Sequence, residues 1–269
     1  MLSLHKFSIL TLAVVLTALV SSCDKDDDTD PDAETTVYGE SVPMESGTLH
    51  SWAKIDAAGN PTAVGFSFSH EVLHSLPGAS HENADPNSAM TMYYYEVDLP
   101  SEIKDKTPFD HVAVDWNPMG HPPEIYSVPH FDGHFYMISS EQQMQIGDEV
   151  SDPKVLNVPP SKYLPADYID IQVNVPEMGK HWVDKFTAEL NGGEFTQTLI
   201  YGSYDSKVIF YEPMFTLDYL QSNPKDTFSI KQPAEFERKG LYYPTKYIFN
   251  YNAETGEYTI ALTDFELKN

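Results

Sequence analysis

A succession of short apolar runs, each alternating with small or polar residues and each stopped by turn formers, limits this chain more than any other feature. Residues 48–54 and 62–69 read as two arms of a hairpin around the turn-rich segment 56–61, with Val64, Phe66 and Phe68 alternating in the second arm. Further strands are expected over 90–99, 109–116, 130–138 and 169–175. Two more hairpins follow, 195–204 with 207–216 and 247–252 with 257–264. Helical signals are small: 70–76 behind a Ser69 cap and ahead of Pro77-Gly78, a capping box at 140–143, and 217–221. Segment 148–170 is proline-rich and irregular, and 176–182 reads as a turn that presents His181. The expected class is mainly β with short helices: an antiparallel barrel-like or sandwich sheet with long Pro-rich loops.

The beginning of the chain reads as an address rather than as fold. His5 and Lys6 precede an apolar run over 7–20, and Val20-Ser21-Ser22-Cys23 follows. That order of charge, apolar run and small residues marks 1–22 as an export signal, too short for a comfortable membrane span. Cys23 is the only cysteine, which excludes an intrachain disulfide. Its setting resembles the lipobox of bacterial lipoproteins, which implies that Cys23 is lipidated and holds the protein at a membrane. Residues 23–37 form an acidic spacer, with one lysine against seven acids over 24–34. Lys25-Asp26-Asp27 so close to the cysteine resembles the tag that sends Bacteroidetes-type lipoproteins to the outside of the outer membrane. The expected location is therefore the outer membrane, lipid-anchored and facing the cell surface. Residues 38–269 are expected to fold as a single β-rich domain.

Charge narrows the partners. The formal net charge is −25, and Arg238 is the only arginine. Nucleic acid requires basic patches, so it is excluded as a partner, and phosphate ligands are disfavoured. Cations are attracted.

Chemistry concentrates around Pro129–Tyr136, read with Gly120-His121-Pro122-Pro123. In an extended strand His130, Asp132 and His134 share one face, while Phe131, Phe135 and Met137 share the other. Imidazoles and carboxylates without a thiolate suit a divalent metal, zinc first and iron or manganese next. The expected ligands are His121, His130, His134 and Glu212. Asp115, Asp132 and His181 are expected to orient those ligands or gate the pocket. His50, His70, His74, His81 and His111 read as surface or loop residues. The spacing His-x3-His is a weak signal by itself. No His-Glu-x-x-His, Gly-x-Ser-x-Gly or phosphate-binding glycine loop occurs.

Several runs also carry a resemblance: Phe109–Val112 through Asp115-Trp116-Asn117-Pro118, Gly120–Pro123, Pro129–Tyr136, His181–Asp184, and Tyr201-Gly202 through Phe210–Met214. Together, over 47–220, they resemble the TTHB-type domain family of exported bacterial proteins of unknown function. The resemblance implies a β-rich domain, with homo-oligomers as an option, and supplies no reaction. Two function classes follow. One is a surface-anchored metal-binding β domain. The other is a non-catalytic surface module that self-assembles or binds a protein or glycan partner.

Overall fold

The structure, a computed structural model, describes residues 33–78 and 92–269. The expected signal peptide, Cys23, most of the spacer, His81 and nearly all of the 78–89 loop lie outside the described residues.

Thirteen strands form two antiparallel sheets among the described residues. The first sheet contains β1 (Thr35–Met44), β2 (Gly47–Ile55), β3 (Pro61–Ser69), β11 (Lys225–Ser229), β12 (Leu241–Asn252) and β13 (Glu257–Lys268), in the order β1-β2-β3-β13-β12-β11. The second contains β4 (Tyr93–Asp98), β5 (His111–Asn117), β6 (His130–Tyr136), β7 (Tyr168–Val175), β8 (Gly179–Asp184), β9 (Gln197–Tyr204) and β10 (Lys207–Thr216), in the order β4-β5-β6-β10-β9-β8-β7. Both sheets stay open at their edges, so of the two expected architectures the sandwich is the one present. Four short helices accompany them: α1 (Glu71–Ser75), α2 (Ser101–Lys104), α3 (Ser140–Gln143) and α4 (Leu217–Gln221).

Aromatic side chains from facing strands fill the space between the sheets. Phe66 of β3 meets Phe135 of β6, and Phe68 meets Phe131, each pair at 5.8 Å between ring centroids. Phe215 of β10 lies 5.1 Å from Phe249 of β12. Burying such rings contributes about 1.5–3 kcal/mol each, which holds the two sheets in register.

Several local expectations are corrected. Thr35–Val37, expected in the spacer, pair with β2 in β1. Strand β11 gave no clear sequence signal, being only five residues long and mostly exposed. Helix α1 starts from His70, whose side chain makes no capping bond, rather than from Ser69. The capping box of α3 is formed one residue earlier than expected, by Ser139 and Gln142. His181 sits inside β8, not on a turn, because Gly179-Lys180 already pair with β7.

Strands β5 and β6 are buried along their whole length, on both faces. An ordinary sandwich strand would turn one face to water. Here the far side of the second sheet is covered by the 118–129 loop, by β7 and by two satellite apolar clusters. The polar face of β6 is therefore interior, and there the candidate site lies.

Candidate metal centre

Antiparallel register assembles the site row by row. Asp115 of β5 stands opposite Asp132 of β6, and Asn117 opposite His130. Met214 of β10 stands opposite Asp132, and Phe210 opposite Tyr136, which places Glu212 across from His134. His181 of β8 reaches the same face across Gly202 of β9.

A Cβ at Gly202 would lie 2.0 Å from Cε1 and Cζ of Phe210. Glycine here lets the Phe210 ring settle over β9, edge-on to His134 at 4.8 Å and 5.6 Å from His181. His121 arrives from the covering loop. Gly120 turns that loop with φ at +67°, and a Cβ there would stand 2.2 Å from the Tyr126 carbonyl oxygen.

Two separate donor sets result: His121, His130 and Asp132, and His134, His181 and Glu212, with the donor atoms of each within 4.8 Å of one another. The four residues expected to share one ion are thus divided. The reason is strand geometry: residues four apart on a strand are separated by about 13 Å, against about 6 Å on a helix, so His130 and His134 serve different points. Asp132 and His181, expected behind the ligands, stand among the donors.

In the first set, Nε2 of His130 is 3.2 Å from Oδ1 of Asp132, and Nε2 of His121 is 3.3 Å from Oδ2. The far nitrogens are anchored. Nδ1 of His130 donates to the Val128 carbonyl at 2.6 Å, and Nδ1 of His121 donates to the Pro122 carbonyl at 2.8 Å. A ring anchored in this way would, if neutral, present an Nε2 lone pair to a carboxylate oxygen. Acceptor facing acceptor is repulsive unless a cation or an added proton lies between. Asn117 donates to Oδ2 of Asp132 at 2.7 Å, so the carboxylate is held without being neutralised.

The second set repeats the pattern. Nδ1 of His134 is 3.2 Å from Asp115 Oδ2, and its Nε2 is 3.6 Å from Glu212 Oε2. His181 Nε2 is 3.9 Å from the same oxygen. Yet His130 Nε2, Asp132 Oδ1, both nitrogens of His134, both oxygens of Asp115, Glu212 Oε2 and His181 Nδ1 are buried without an aligned hydrogen-bond partner. An orphan of this kind costs about 1–3 kcal/mol, and four of the eight, His130 Nε2, Asp132 Oδ1, His134 Nε2 and Glu212 Oε2, face one another in pairs where a cation would be shared.

Protonation follows from burial and neighbours. Burial opposes charge on His121, but hydrogen bonding and attraction to Asp132 outweigh it and raise the ring to about 9. His134 likewise rises to about 9, with Glu212 and Asp115 overcoming burial. Burial lifts Glu212 to about 8, helped by the charges of Asp132 and Asp115. Burial also raises Asp115. Asp132 goes the other way: His130 and His121 hold it well below the usual carboxylate range in spite of its burial. His181 falls to about 4, first through burial and then through repulsion from His134 and His121. The raised imidazoles of His121 and His134 thus hold protons that a bound cation would have to displace.

A cavity of about 440 Å³ opens onto both sets. His121, Asp132, His181 and Glu212 are part of its polar lining together with Asn117 and Asn174, and Ile171, Val173, Met178, Ile200 and Met214 are among its apolar walls. A larger groove of about 680 Å³ beside α4 carries no histidine.

Sequence reasoning missed Asn117, Gly202 and Phe210. Asn117 was within reach, since it continues the 111, 113, 115 alternation. His111 was misjudged: it is buried, bonded to Gln143 at 2.8 Å and stacked on Tyr136, because α3 covers the end of β5. Asp115 is wholly buried in mid-strand, with Oδ2 facing Nδ1 of His134.

Comparison with known proteins is sparse. Residues 56–116 match the TTHB210-like family model, described as hypothetical protein TTHB210. That stretch runs from the β2–β3 turn to Trp116 and includes Asp115 but none of the six donors. No curated protein and no solved structure matches the chain.

Proposed function

We propose that this chain is an exported, lipid-anchored protein whose β-sandwich holds a divalent metal at His121, His130 and Asp132, at the floor of the apolar-walled cavity. The observation that carries the reading is the pair of backbone-anchored imidazoles whose Nε2 atoms both face Asp132. Zinc ligands with bonds of about 2.0–2.2 Å in near-tetrahedral geometry stand about 3.3–3.6 Å apart. In the first set each imidazole has its own Asp132 oxygen at 3.2 or 3.3 Å, and one donor atom from each of the three residues lies within 4.8 Å of the others, so closure by up to about an ångström brings them to that spacing. Anchoring the far ring nitrogen on a carbonyl is the usual support for a metal-binding histidine. His121 is the part-exposed member, so the fourth position would open toward the cavity for water or a small molecule. The lipobox-like Cys23 and the acidic run behind it support anchoring at the outer membrane, with the cell surface as the favoured face. The metal reading is tested on tag-free protein. Zinc is added, excess is removed by gel filtration, and bound metal is measured by mass spectrometry. At least one equivalent is expected; less than a tenth of an equivalent refutes the proposal.

A further inference from the structure

We infer that the chain binds a second divalent cation at His134, His181 and Glu212, separate from the first and lining the same cavity; this deepens the reading above and rests on it. Three observations carry the second site. Glu212 Oε2 and His134 Nε2 face each other, buried and unpartnered. Asp115 Oδ2 stands 3.2 Å from the other ring nitrogen of His134, on the side where the Val128 and Pro122 carbonyls accept hydrogen bonds from His130 and His121, so a small rotation would anchor this ring as well. Finally, Glu212 and His181 both line the cavity, so an ion has a path in.

The two sites are distinct because of the strand that carries them. Asp132 and His134 are successive residues on one face of β6, about 7 Å apart along the strand. An oxygen-bridged metal pair needs ions only about 3.5–4 Å apart. The geometry therefore describes two mononuclear sites rather than one bridged centre. They also differ in fit. In the second set both rings address one oxygen, Glu212 Oε2, at 3.6 and 3.9 Å, which suits an ion with somewhat longer bonds or requires closure by a few tenths of an ångström, whereas in the first each ring has its own Asp132 oxygen at 3.3 Å or less. Zinc should fill the first set before the second.

The experiment uses the tag-free protein, stripped with chelator and titrated with zinc against a chromophoric competitor. Two equivalents are expected, the tighter lost in Asp132→Asn and the weaker lost in Glu212→Gln. His181→Ala, a change at the cavity wall, should lose the weaker equivalent alone, and it keeps the test decisive if the isosteric Glu212 variant fails to fold. A single equivalent lost in Asp132→Asn but retained in Glu212→Gln and His181→Ala overturns the second site and leaves the first standing. A single equivalent lost in all three variants overturns the two-site arrangement, since all these residues then serve one ion. No bound zinc at all overturns both readings.

Discussion

Gly202 offers the sharpest test of how the fold builds this site. Replacing it with alanine places a methyl carbon 2.0 Å from two atoms of the Phe210 ring. Ordinary carbon contacts are about 3.5–4.0 Å, so the ring must retreat by about 1.5–2 Å. It has little room to do so. Phe210 is fully buried and lies 5.3 Å from Tyr136 and 4.8 Å from His134. Overpacking of this kind costs about 1–3 kcal/mol. For a domain of this size each kcal/mol lowers Tm by about 2–4 °C, so Gly202→Ala should melt about 2–12 °C lower by circular dichroism. A displaced ring also presses on His134 and His181, so zinc binding at that set should weaken more than at His121, His130 and Asp132. Adding Phe210→Leu should recover part of both losses, because the offending ring edge is gone. A Gly202→Ala protein that melts within 1 °C of the parent and binds zinc unchanged would refute the placement of Phe210. So would a loss confined to the His121 set.

Three further outcomes follow from the same geometry, and a fourth from the sequence around Cys23. Zinc affinity should rise about tenfold per pH unit for each proton displaced as pH goes from 6.5 toward 9, because His121 and His134, raised to about 9, must shed protons to coordinate; a competition titration with a flat pH profile would contradict this. The same raised rings add stability to the metal-free protein that is complete below about pH 6.5 and lost as pH rises through 9, so its Tm should fall over that window while zinc-loaded protein resists; an equal fall with zinc bound would count against the protons and the metal sharing a place. Asp115→Asn should weaken zinc at the His134 set about 10–100-fold and spare the first set, measured in the same titration; equal weakening of both would show that Asp115 does not act through His134. Cys23→Ser should abolish incorporation of labelled fatty acid and release the protein from the membrane fraction; a variant still recovered in membranes would sink the anchor assignment.

Strands are legible in this sequence where the pattern that makes them is local. Alternation placed Phe66 and Phe68 on one side of β3 and His130, Asp132 and His134 on one side of β6, and the hairpin of β9 and β10 announced itself through Asp205-Ser206. Caps slip by one residue for two reasons: Ser139 and Ser140 carry the same short-range signal, and Ser69 is still paired in β3, which leaves His70 to open α1. Short exposed β11 passed unnoticed for want of a buried face.

The sequence by itself determined which side chains share a face, because a strand's period of two is a covalent fact of the extended backbone. It also supplied the complete set of imidazoles and carboxylates now found around the cavity. Only the tertiary structure decided how they are partnered. Antiparallel register set Glu212 opposite His134 rather than His130, and the 118–129 loop delivered His121 to Asp132. The packing of that loop and β7 over the second sheet turned a polar face that would otherwise meet water into a buried one. Those choices depend on contacts between residues tens of positions apart, whose energies come from mutual burial and leave no periodic trace along the chain.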